Sequence, residues 1–398
     1  MNTMNSEKIS SNIGLYIHWP FCLSKCPYCD FNSHVVESVD HSRWEKALVN
    51  ELRFLSRNQS QKKLKSIFFG GGTPSLMKPE TVFEAIQTAK KIWAVKQPIE
   101  ITLEANPSSI EYQTFNSFKQ AGINRVSLGI QAFDDKALSF LGRNHDRLDA
   151  INALEAAHKS FDRVSFDLIY ARPKQTIESW LLELDQAVDL AGEHMSVYQL
   201  TIEKGTAFYS QYKNGGFEMP CSETAGDFYE VTNEKLNSAG LKNYEISNYA
   251  HPGSECQHNM IYWRSEDYLG VGPGAHSRLT DIRGKRSATR SLTAPFSWLK
   301  EVETNGNASV EQTILSTSEQ LTETIMMGLR LKEGVSLKKL YKITGKTLGQ
   351  LFDEEALYLL KNEGYLSTDN FYLRATDSGR QRLNGVVRCL LDSVNILN

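Results

Sequence analysis

Through the first 240 residues, short apolar runs alternate with longer segments whose apolar positions recur every three to four residues. The runs Leu15–Trp19, Ser66–Phe69, Ile99–Glu104, Arg125–Ile130, Val164–Ile169 and Met195–Leu200 are rich in β-branched and aromatic residues and predict strands. The segments His41–Leu55, Pro79–Trp93, Ser108–Ala121, Arg147–Lys159 and Thr176–Leu190 lie between them and predict helices. A further helical pattern, Glu223–Ala239, follows the sixth run and stops at Gly240. Alternation of this kind predicts parallel strands with crossover helices packed outside, hence an α/β fold. Six units fall short of the eight in a closed barrel.

Beyond Leu299 the pattern weakens. Thr304-Asn305-Gly306-Asn307-Ala308-Ser309 suggests a linker, taken as residues 301–317. From Ser318 to residue 398 the order is helix, helix, helix, hairpin, helix, with the hairpin turning at Thr368-Asp369-Asn370; this small α+β unit is winged-helix-like. Its 11 Lys and Arg against 10 Asp and Glu give no phosphate-binding footprint, so packing or partner recognition is expected rather than nucleic acid. The formal charge of −3 over 398 residues agrees with that. Residues 1–12 form a polar tail without the apolar core of a secretory signal, and no run approaches the roughly 20 apolar residues of a membrane span. A cytoplasmic protein is expected, with at most peripheral membrane contact.

Three cysteines fall within eight residues: Cys22, Cys26 and Cys29. Thiolates crowded on one loop repel one another, so a shared cation is the simplest reason for the grouping. Structural zinc wants a fourth ligand, and the remaining cysteines, Cys221, Cys256 and Cys389, are distant in sequence. Six cysteines without a signal peptide fit a reducing compartment rather than a disulfide framework. An iron–sulfur cluster with one iron left open fits best. The loop follows the first strand, Gly70–Ser75 follows the second, Glu104 and Gln131 close the third and fourth, and Asp167 lies in the fifth. Ligands of parallel α/β sheets bind at those strand ends.

The C-x3-C-x2-C loop, with Tyr28 before its third cysteine, resembles the cluster motif of the radical S-adenosylmethionine (SAM) superfamily. Tyr16-Ile17-His18-Trp19-Pro20-Phe21-Cys22, Gly70-Gly71-Gly72-Thr73-Pro74-Ser75 and Asp167-Leu168-Ile169-Tyr170 are similar to tracts of the group containing oxygen-independent coproporphyrinogen III oxidase and the HemW haem chaperones. The resemblance implies a partial (βα)6 TIM-like barrel over residues 13–300, with an extension, and a small C-terminal domain. It also implies a [4Fe–4S] cluster on Cys22, Cys26 and Cys29, with SAM chelating the open iron. Gly72 and Thr73 would receive the methionine amino group and Glu104 the ribose hydroxyls. Gln131, Arg143 and Asp167 match further SAM-contacting positions, and Tyr16 the residue beside the cofactor.

Gln257-His258-Asn259-Met260-Ile261-Tyr262-Trp263 matches the H-N-x-x-Y-W motif tied to haem binding in the HemW branch. His258 would ligate iron, with Tyr262 and Trp263 as flat apolar surface. Alone, a histidine beside Tyr and Trp also reads as a packed core residue. Two departures from the oxidase pattern matter. Phe31 stands where the oxidase carries an extra cysteine, and the first strand is expected to start near residue 13, whereas the oxidase has a longer N-terminal extension. The resemblance therefore implies a haem chaperone that passes haem to acceptor proteins, the oxidase or another radical SAM enzyme being the alternatives. Gly270–Ser277 reads as a glycine-rich turn, and Arg278, Arg283, Lys285, Arg286 and Arg290 as a solvated basic loop. His18 and His34 flank the cluster loop and carry no assignment.

Overall fold

The computed structural model describes residues 12–395. Six strands form its centre: β1 (Asn12–Trp19), β2 (Lys63–Gly71), β3 (Glu100–Ala105), β4 (Arg125–Gln131), β5 (Arg163–Tyr170) and β6 (His194–Gln199). Each pairs in parallel with the next in chain order, and helices fill the crossovers. The molecule is thus a partial (βα)6 barrel. Residues 1–11 of the expected polar tail lie outside the described part, and Asn12 opens β1.

Strand periodicity explains why the interior is polar. One set of alternate residues, such as Leu15, Ile17, Phe69, Leu103, Leu128 and Phe166, packs in a single large core beneath the helices. The opposite set, including Tyr16, Ser66, Glu100, Glu104, Arg125, Asp167 and His194, faces inward.

The extension closes the barrel's flank. Strands β7 (Lys242–Asn243) and β8 (Asn248–Ala250) run antiparallel beyond β6, and β9 (Asp267–Val271) pairs in parallel with the free edge of β1. The strands β10 (His276–Thr280), β11 (Arg286–Ser291) and β12 (Ser309–Ile314) continue outward as an antiparallel meander. The order across this sheet is β12-β11-β10-β9-β1-β2-β3-β4-β5-β6-β8-β7.

Three expectations are corrected here. Residues 301–317 are not a linker: helix Pro295–Asn305 ends at Gly306, and β12 pairs with β11. All six residues of β12 are exposed, so this edge strand has no apolar alternation to read. Gly270–Ser277 is the end of β9, a tight turn and the start of β10. The basic stretch is a hairpin rather than a loop: Arg278 pairs with Glu323 at 2.7 Å and Arg286 with the buried Asp267 at 2.8 Å. The helix expected over 108–121 is also broken, into Ser109–Tyr112 and Phe115–Ala121, because Glu111 turns inward to accept from Ser75 and Asn106.

A buried carboxylate absent from the sequence reading, Glu51, ties the extension to the barrel. It accepts from the backbone of Gly272 at 2.8 Å and Ala308 at 3.0 Å, and from Trp298 Nε1 at 3.0 Å. Burial, only partly offset by these donors, pushes its carboxyl up to about 7.

The C-terminal unit has its own core around Leu321, Ile325, Phe352, Leu373 and Leu390. Four helices, Thr317–Gly328, Leu337–Thr344, Leu348–Leu351 and Glu354–Asn362, pack about a small sheet ordered β13 (Val335–Ser336), β15 (Tyr372–Ala375), β14 (Leu366–Thr368), followed by the helices Asp377–Gln381 and the amphipathic Leu383–Asp392. Among the described residues no helix is long and apolar enough to cross a membrane.

Candidate cofactor site and the barrel floor

At the C-terminal ends of the strands lies a cavity of about 490 Å³. Cys22, Cys26, Cys29, Gly72, Thr73, Glu104, Gln131, Arg143 and Asp167 all line it, so residues spread over 146 positions of sequence meet there. Two glycines permit the assembly. A side chain on Gly72 would sit 2.7 Å from the carbonyl oxygen of Phe21, so the cluster loop rests directly on the glycine turn. Gly142 takes a left-handed φ of 66°, and a Cβ there would meet Pro27 at 2.5 Å.

The thiols are free and have directed neighbours. Thr73 Oγ1 donates to Cys22 Sγ at 3.3 Å, and Arg143 Nη1 donates to Cys26 Sγ at 3.3 Å. Arg143 Nη2 is fixed by Asn106 Oδ1 at 2.6 Å and the Gly129 carbonyl at 2.8 Å, while Asn106 Nδ2 reaches Thr73 at 3.1 Å. Burial and the two neighbouring cysteines push the Cys22 thiol up, with the Thr73 bond opposing. Thiols in that condition are relieved by binding a cation. Among the described residues no three His, Cys, Asp or Glu groups converge on a point as a single-ion site requires. Three free thiols lining one cavity are a donor set that fits an iron–sulfur cluster.

Glu104 and Asp167 face the same space with few partners. Glu104 accepts from Gly71 N at 3.2 Å, and Asp167 from Ser127 at 3.5 Å. Burial, then the charge of Asp167, raises Glu104 to about 8; burial raises Asp167 to about 6. Such carboxyls retain unused acceptor capacity for a ligand's hydroxyl and amino groups. Gln131 adopts φ 73°, an uncommon backbone for a side-chain-bearing residue. Tyr16 lies deeper: its ring and Glu104 Oε2 both abut Gly70, and its hydroxyl bonds His18 Nδ1 at 3.1 Å. Asn106 and Glu111 escaped the sequence reading. The position of Asn106, two residues past Glu104 at a strand end, was the available signal.

His258, Tyr262 and Trp263 are not brought to this cavity. Helix Gln257–Trp263 plugs the opposite end of the barrel, and His258 is buried there. His258 Nδ1 bonds Ser66 Oγ at 2.8 Å, Nε2 bonds Tyr262 Oη at 2.9 Å, and the ring stacks on Phe68 at 5.1 Å. Burial lowers the imidazole to about 3. Trp263 packs with Tyr244, Met260 and Leu331, under the guanidinium of Arg330 at 4.8 Å. As placed, the expected haem ligand has no free ring nitrogen. Glu100, a floor residue, accepts from His258 N at 3.1 Å and pairs with Arg163 at 2.6 Å.

Residues 16–186 match the family model of the radical SAM superfamily, and residues 315–382 that of the HemN C-terminal domain. The chain is 36% identical over 388 residues to radical S-adenosyl methionine domain-containing protein 1, mitochondrial, of Bos taurus, covering 96% of this chain and 88% of that protein. It is 36% identical to the heme chaperone HemW of Haemophilus influenzae and 34% to that of Escherichia coli, over 95% of this chain and 98% of each. Coproporphyrinogen III oxidase (HemN) of Escherichia coli shares the fold, with a TM-score of 0.80 at 21% identity over 96% of this chain and 90% of that one. With a radical SAM barrel that implies a [4Fe–4S] cluster and SAM, the chain belongs to the radical SAM superfamily and, within it, to the HemW/HemN family.

Proposed function

We propose that this protein handles haem as a chaperone on a cluster- and SAM-binding barrel, and does not decarboxylate coproporphyrinogen III. The observation that carries this reading is Phe31, which stands two residues after Cys29, where the oxidase pattern has an additional cysteine. Its ring lines the cavity mouth and is largely exposed. Proteins named heme chaperone HemW match nearly the whole chain, which supports the same choice.

In this reading Cys22, Cys26 and Cys29 hold the cluster. Bound there, the cluster supplies an iron with open coordination positions for the amino and carboxylate groups of SAM. Arg143 balances thiolate charge at Cys26, and Thr73 orients on Cys22. Gly72 and Thr73 leave room for the methionine end of SAM, Glu104 accepts from its ribose, and Gln131 and Asp167 complete the polar wall. Tyr16 supports this layer from below. Proteins that take up haem are the proposed partners, and the near-neutral C-terminal unit gives nucleic acid no hold. A cytoplasmic location is proposed, and the free thiols agree with a reducing compartment of either kind, cytoplasm or the interior of a mitochondrion.

The test is an anaerobic assay of the cluster-loaded protein with SAM and coproporphyrinogen III, beside a haem titration. Haem binding without decarboxylation is expected; conversion above the no-enzyme background restores the oxidase.

A further inference from the structure

The cluster loop shows solvent more apolar surface than cofactor binding requires. Leu23 and Phe31 line the cavity mouth yet are 62% and 59% exposed. Val35, directly opposite Cys22 in a short parallel ladder, is 55% exposed. Single exposed apolar residues are ordinary, but two at a ligand cavity's mouth, with a third on the strand paired to the cluster loop's first cysteine, mark a binding face. Lys25 stands exposed on the same loop, its ammonium 3.4 Å from the Ser33 carbonyl.

Asn32 fixes the imidazole beside this face. Its Nδ2 donates to the carbonyls of Pro273 and Thr293, each at 3.0 Å, so Oδ1 is the end that meets His34 Nε2 at 3.0 Å. His34 therefore carries its proton on Nε2 and keeps a lone pair on Nδ1. An amide or carbonyl oxygen holding the far nitrogen is the usual support for a ligating histidine. His18 and His258 have both ring nitrogens engaged.

We propose that haem docks on this rim, its macrocycle against Leu23, Phe31 and Val35, a propionate toward Lys25 and its iron toward His34. The inference rests on the haem-handling function above and names its binding site. A flat apolar ring, a carboxylate edge and an iron that accepts imidazole are the three chemistries the rim offers to match.

The experiment titrates haem into the cluster-loaded protein, comparing wild type with Leu23→Ser/Phe31→Ser, Val35→Ser, His34→Ala and Lys25→Glu. Cluster iron is measured in each, and Val35→Ser tests the face without touching the cysteine loop. The double variant should lose at least about tenfold in affinity from its lost apolar contact. His34→Ala should shift the Soret band, and Lys25→Glu should weaken binding at low salt but not at high salt. Failure of wild type to bind haem overturns the function itself. Haem bound with unchanged affinity and spectrum in all variants overturns the site alone. Haem binding retained with transfer to an apo-haemoprotein lost makes the rim a protein-docking face, which also overturns it.

Discussion

Two glutamates on β3 face the barrel interior four residues apart, and they behave oppositely. Glu104 borders the cavity with one backbone donor, and burial and Asp167 raise its carboxyl to about 8. Glu100, at the floor, meets Arg163, the amide of His258 and the thiol of Cys256. Burial works against its charge too, but Arg125 and Arg163 outweigh it and hold it below the usual carboxylate range. The same contrast separates the cavity cysteines from buried Cys256, and Arg143 from Arg125. Residue type is shared between the two ends of the barrel. What distinguishes a ligand site is polar capacity left unused beside open space, whereas the floor has spent its capacity internally.

The sharpest way to break the comparison is at the cysteines. Cys22→Ala, Cys26→Ala or Cys29→Ala should abolish cluster formation, read as iron content and as absorbance around 400 nm (approximate, for thiolate-to-cluster charge transfer). Cys256→Ala should leave both intact. Cluster retention in all three loop variants would sink the site.

The glutamates give the next largest effects, in opposite observables. Glu100→Gln leaves Arg163 and Arg125 buried with less countercharge and should lower stability by about 3–5 kcal/mol, with SAM affinity unchanged in the folded fraction. Glu104→Gln should not lower stability, since it removes a group that must ionise in a buried site, and should weaken SAM by about 1.5–3 kcal/mol, roughly ten- to a hundred-fold. Denaturant midpoints and SAM titrations decide it. Matching profiles for the two variants would show that the ends are not distinct.

Much of the upper end was legible in the sequence, because strand-end position and cysteine spacing are local signals. The six barrel strands follow from apolar runs bounded by turns, and Cys22, Gly72, Glu104 and Asp167 sit where parallel strands expose their ends. The floor was not legible. His258 beside Tyr262 and Trp263 offers the same letters whether it awaits iron or is locked between Ser66 and Tyr262, and Ser66 lies 192 residues away. Glu51 was hidden for a similar reason, since its partners Gly272, Trp298 and Ala308 are distant in sequence. The strand β12 was missed because all its side chains face water.

The His258 reading has its own test. His258→Ala removes two side-chain bonds and strands the hydroxyls of Ser66 and Tyr262, so a stability loss of about 1–3 kcal/mol is expected. The haem spectrum should stay as in wild type. Loss of that spectrum with unchanged stability would place the iron on His258 and require the helix Gln257–Trp263 to leave the floor.

The smallest predicted effect is in pH, where the two ends titrate on opposite limbs. Without SAM, Glu104 at about 8, Glu51 at about 7 and Asp167 at about 6 lie above their ordinary values of 4.5, 4.5 and 3.8. The folded state then holds more protons than the unfolded one between those limits, so stability falls as pH rises from 5 toward 8 (approximate, by proton linkage). The histidines act the other way. His258 at about 3 and His145 at about 4 lie below 6.5, so the unfolded state binds more protons in acid and stability is lost as pH falls from 6.5. The two sets oppose each other between about pH 4.5 and 6.5, and above about pH 6.5 only the carboxyls among these groups act, so their contribution falls there. Glu104→Gln should flatten the alkaline fall, where no histidine opposes it, because it removes the group that must ionise there against Asp167. His258→Gln should flatten only the acid limb, in proportion to the protons the buried ring refuses. Denaturant midpoints measured across both limbs read this directly, and a Glu104→Gln profile parallel to wild type above pH 6 would mean that Glu104 is already ionised and engaged before any ligand arrives.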